Sequence, residues 1–123
     1  MTQQVVTPAM IEKRLYDLSK AVDEAHSETV EIESHYNSIK SQYEISLAKS
    51  RIKFASVSSP AGKNYTVQER EDMALIENEE LHYRMGAAEA QVKATRANAQ
   101  RLRTQVDIAR SIGTSVRTSM DLA

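Results

Sequence analysis

Lys49, Arg51 and Lys53 stand at alternate positions in a stretch, residues 46–63, that holds four basic side chains with Lys63 and no acidic one. Such cations neutralise phosphates and release counterions, so they bind nucleic-acid backbones without regard to sequence. Phe54 and Tyr65 flank the same stretch. Aromatic faces there can stack on unpaired bases, a sequence-tolerant contact worth about 1–3 kcal/mol per base. The candidate chemistry is therefore non-covalent recognition of a single strand, with Lys49 and Arg51 on phosphates and Lys53 and Lys63 assisting. A plainer reading competes with it. The cations would then pair with Glu69, Glu71 and Asp72 to fix register, each exposed pair contributing about 0–1 kcal/mol, and the two rings would close the end of the fold.

Covalent and metal chemistry find less to work with. His26, His35 and His82 fall on different helical faces, and neither H-x-x-x-H nor H-E-x-x-H spacing occurs. The chain has no cysteine, so a disulfide framework and a thiolate metal site are both excluded. Gly62-Lys63 looks like the end of a phosphate-binding loop. Val57, however, stands where that loop needs its first glycine, and Asn64 where it needs a serine or threonine for magnesium. Glu77, Glu79 and Glu80 read as a solvated helix face. No nucleophile, base and oxyanion hole assemble. The expectation is a protein that is not an enzyme and takes no metal or other cofactor.

Two stripes of apolar and small residues must position the basic stretch. One runs Ile11, Leu15, Leu18, Val22, Ala25, Thr29, Ile32, Tyr36, Ile39, Tyr43; the other Leu81, Met85, Ala88, Val92, Thr95, Ala99, Leu102, Val106, Ala109. Steps of four and three are the seam of a coiled coil. Between the stripes lies Ser58-Ser59-Pro60-Ala61-Gly62-Lys63-Asn64, which neither helix crosses cheaply. Folding there sets Ile39 against Leu81 and Ile11 against Ala109, with the fold axis at Pro60-Ala61. Thr7-Pro8 is an N-cap followed by proline, and Thr66-Val67-Gln68-Glu69 a capping box.

The predicted fold is all-α, a long antiparallel helical hairpin forming one domain over 1–123. Helix one spans about 8–55, the loop about 56–65 and helix two about 66–118, each helix roughly 70 Å long at 1.5 Å per residue. Ser46 and Ser50 interrupt the first stripe, and its apolar character passes to Leu47, Ile52 and Phe54 in the manner of a stutter. Gly113 is expected to loosen or end helix two.

Helix two carries a further apolar line, Ile108, Ile112 and Val116, which a lone hairpin would leave wet. That predicts a homo-oligomer. Charge is blocked along the chain: residues 1–45 hold eight acids and four bases, residues 91–123 two acids and six bases, so the two helices are complementary when antiparallel. No apolar run is long enough to span a membrane and no leader is visible, which points to the cytoplasm.

Leu47-Ala48-Lys49-Ser50-Arg51-Ile52-Lys53-Phe54 resembles the Lys-x-Arg-apolar-x-aromatic segment of the UvsY-type phage recombination mediators. The order long helix, polar loop, long helix is similar too, as is the late run Ser111-Ile112-Gly113-Thr114-Ser115. The resemblance implies a small, ring-forming helical protein of the host cytoplasm that binds single-stranded DNA. It also implies a recombinase and a single-strand-binding protein as partners. The alternatives are a structural or interaction module without nucleic-acid affinity, such as an assembly factor or an inhibitor of a host defence complex, and a helical subunit completing a bundle with another chain.

Overall fold

In the computed structural model, which describes residues 5–122, the chain forms α1 (Pro8–Ala55), α2 (Val67–Glu77) and α3 (Glu79–Leu122). The helix starts are chemical. The Thr7 hydroxyl accepts from the Met10 N–H at 3.3 Å. At α2 the Thr66 hydroxyl accepts from the Glu69 N–H at 3.2 Å while the Glu69 carboxylate accepts from the Thr66 N–H at 3.4 Å. Both ends thereby satisfy amide donors that a first turn leaves without partners.

The connection between α1 and α2 is a small antiparallel turn in which Ser58 bridges Asn64. Ser59 donates its N–H to the Lys63 carbonyl at 2.8 Å, and Gly62 donates to the Ser59 carbonyl at 2.9 Å. Pro60 presets the second position of that turn. Gly62 closes it at φ 77°, a left-handed value that glycine adopts without Cβ strain.

Contacts divide the chain into two units, residues 1–30 with 94–123, and residues 31–93. In the first, Leu18, Ala25, Leu102 and Ala109 form a buried cluster, with Leu15, Val22, Ala99 and Val106 packed against it. In the second, Ile39, Ala74, Ala88 and Val92 are buried. In both units the α1 stripe runs antiparallel to its partner, and every seam position named from the sequence is buried or half-buried.

Four expectations about the hairpin need correction. Helix two is not continuous, because it stops at Glu77 and restarts at Glu79 around Asn78 (φ −105°, ψ 21°). The Asn78 side-chain amide donates to the Ala74 carbonyl at 2.7 Å, while its backbone N–H is shared between Ala74 and Leu75 at 3.2 Å each. A side chain competing for that carbonyl is what breaks the ladder, and Glu79 and Glu80 then suit the dipole of the new first turn.

Second, the stripe keeps its serines: Ser50 is buried and Ser46 half-buried, beside Leu47 and Phe54, which are also half-buried, whereas Ile52 is 73% exposed. Ser46 donates to the Asn78 side-chain oxygen, and the Asn78 amide donates to the Ser50 hydroxyl at 2.9 Å. The stripe turns polar there because Asn78, itself a seam residue, supplies matching partners.

Third, the register lies one helical turn from the expected one: Ile11 faces Gly113 in place of Ala109, and Tyr43 faces His82. Both registers place the fold axis within the turn, so loop position alone could not choose between them. In the observed register Asn78 meets Ser46 and Ser50.

Fourth, Gly113 neither loosens nor ends α3, which runs on to Leu122 rather than stopping near residue 118. A Cβ at Gly113 would lie 3.2 Å from Ile11 Cγ2, so glycine serves close approach of α1.

Candidate nucleic-acid interface

The six residues singled out for nucleic-acid binding all lie in the 31–93 unit. Lys49, Arg51, Lys53 and Lys63 are exposed, and Phe54 and Tyr65 half-buried. Their electrostatic states differ. The Arg51 guanidinium pairs with Glu71 at 2.9 Å and the Lys53 ammonium with Glu77 at 2.6 Å. Lys53 also sits 5.2 Å above the Phe54 ring, covering a face that a base would need. Lys49 and Lys63, by contrast, form no ion pair among the described residues.

Of the three expected acidic partners, only Glu71 pairs with one of these cations. Glu69 is held in the capping box and Asp72 accepts from Gln68 at 2.9 Å. Glu77, which the sequence suggested was merely a solvated face, takes Lys53 instead. Its carboxyl is held below the ordinary value of 4.5, first by the hydrogen bond from Lys53 and then by one from Ser50. A continuous chain of polar contacts thus runs Ser46, Asn78, Ser50, Glu77, Lys53.

The residues assigned to self-association lie in the other unit. Ile108 is 54% and Ile112 45% exposed. Ile112 and Val116 line an apolar groove of about 670 Å³ with Val5, Val6 and Pro8 from the opposite end of the sequence. His82 lies 5.6 Å from Tyr43 with the rings tilted and 6.0 Å edge-on from Tyr83. The described residues contain no group of three metal-ligating side chains and no helix long and apolar enough to cross a membrane.

Two features escaped the sequence reading. Asn78 was hidden by apolarity: a search for apolar seam residues begins the second stripe at Leu81 and passes over a polar one three positions earlier. The second is a line of arginines at seven-residue spacing, Arg103, Arg110 and Arg117, all exposed. Their recurrence was legible, but a count of charges per block does not show periodicity. Compared with known protein families, curated proteins and solved structures, the chain matches none.

Proposed function

We propose that this chain is a non-enzymatic single-stranded DNA-binding protein of the phage recombination or replication mediator type, acting as a homo-oligomer in the host cytoplasm beside a recombinase and a single-strand-binding protein. The observation that supports it is the pair of exposed, unpaired cations Lys49 and Lys63 in a stretch without acids. One such surface binds weakly. Several held together multiply the contacts through effective concentration, which is why oligomerisation belongs to the reading.

The two ion pairs favour a second reading, a structural or interaction module whose cations only fix the hairpin. Anisotropy of a labelled oligonucleotide at two salt concentrations separates them. Binding that weakens with salt, and weakens further in Lys49→Ala/Lys63→Ala at unchanged helicity, supports the first reading. No binding by the wild-type chain at low salt selects the second.

A further inference from the structure

We propose that Arg103, Arg110 and Arg117 form a second phosphate-binding track, in the unit built from residues 1–30 and 94–123, along which a single DNA strand runs. The proposal rests on the nucleic-acid reading above. It begins with spacing: each arginine follows a seam residue, Leu102, Ala109 and Val116, at an interval of seven. On a helix that interval returns to nearly the same face after about 10.5 Å. A stacked strand advances about 3.4 Å per nucleotide, so every third phosphate recurs at about 10 Å. Three arginines therefore match three phosphates along one continuous strand.

Pairing is the second observation. A charged residue beside a coiled-coil seam ordinarily meets an opposite charge on the facing helix. Here all three arginines are exposed, and none forms an ion pair or a side-chain hydrogen bond among the described residues. Arg96 continues the spacing but has an interaction of its own and is not counted in the track. Asp107 and Asp121 stand four residues beyond Arg103 and Arg117 without bridging to them. Of the hydroxyls that follow them, Thr104 and Thr118 spend theirs on the carbonyls of Gln100 and Thr114 at 3.1 and 3.0 Å. The guanidinium groups are the free charged donors, and their planar fork suits bidentate contact with phosphate oxygens. Arg110 also lines a groove of about 230 Å³ with Ser19, Asp23 and Val106, and Asp23 does not bridge to it.

The test uses the full-length chain and a fluorescent oligothymidine, with anisotropy read across a salt series. The variant Arg103→Gln/Arg110→Gln/Arg117→Gln should bind at least tenfold more weakly at low salt. Its slope of log affinity against log salt should be shallower by about 2, from about 0.7 per lost single-strand phosphate contact. Arg→Lys at the same three positions should keep the slope. Circular dichroism and light scattering should show helicity and mass unchanged; if the triple variant unfolds, each single Gln variant should still lower the slope by about 0.7. Wild-type binding with no change of slope in the Gln variants overturns the track and leaves the functional reading standing. A fall in melting temperature alone does the same. No binding by the wild-type chain overturns both.

Discussion

Asn78 occupies a seam position where leucine would bury more apolar surface, and its three side-chain hydrogen bonds explain its presence. Replacing it by alanine removes the side-chain partner of Ser46 and one of the two partners of the buried Ser50 hydroxyl, which keeps Glu77, so Asn78→Ala should lose about 1–3 kcal/mol in urea unfolding. Asn78→Leu should recover the melting temperature but lose the register, because a polar seam residue specifies alignment at a cost in stability. Spin labels at Gln42 and Arg84 should then report a broadened distance distribution. One sharp distance in that variant would mean that register is set elsewhere. The glycines of α3 should respond with different signs. A Cβ at Gly86 meets nothing within 4 Å, so Gly86→Ala should stabilise by about 1 kcal/mol. Gly113→Ala pushes on Ile11, and overpacking of about 1–3 kcal/mol should outweigh the gain in helix propensity. At this scale the sequence shows which residues are glycine or asparagine. It does not show what lies opposite them, and the sign depends on that.

The elements were the most legible part. Proline after a threonine cap defined the start of α1, and the small-residue loop defined its end at Ala55, as read from the sequence. Capping chemistry is local, so it is written in adjacent residues. The break between α2 and α3 is not local in that sense: it depends on Asn78 reaching into the α1 seam, a contact between residues some thirty positions apart. The same network makes a pH prediction. Glu77 has its carboxyl held below 4.5 in the folded chain by Lys53 and Ser50. A depressed acid contributes stability that is present above the unfolded value and disappears as pH falls through the folded one. The urea midpoint should therefore decline below about pH 4.5. Glu77→Gln should lower the midpoint at neutral pH while flattening its acid limb. Coincident curves for the two proteins from neutral to acid pH would show that the pair contributes nothing, as many exposed pairs do.

For the molecule as a whole, the open matter is what covers the apolar surface of α3. Ile108 and Ile112 are about half exposed, and Val5 and Val6 extend the same apolar character beside the groove. Several seam residues in this unit are small, Ala25, Ala99, Ala109 and Gly113 among them, and at those levels the two helices bury little apolar area against each other. Burial contributes about 25 cal/mol per Å², which leaves a thin seam weak unless further surface is covered. Self-association through this face would supply that cover. If it occurs through this face, Ile108→Asp/Ile112→Asp places two charges in an occluded interface, a change costing several kcal/mol. The variant should then sediment as a single chain, or unfold on dilution, where the wild-type protein remains assembled. Melting temperature should rise with protein concentration for the wild type and not for the variant, since mass action links assembly to folding. A wild-type mass equal to one chain at micromolar concentration would remove the idea of an oligomer. An assembled variant of unchanged mass would keep the oligomer and move its interface away from Ile108 and Ile112.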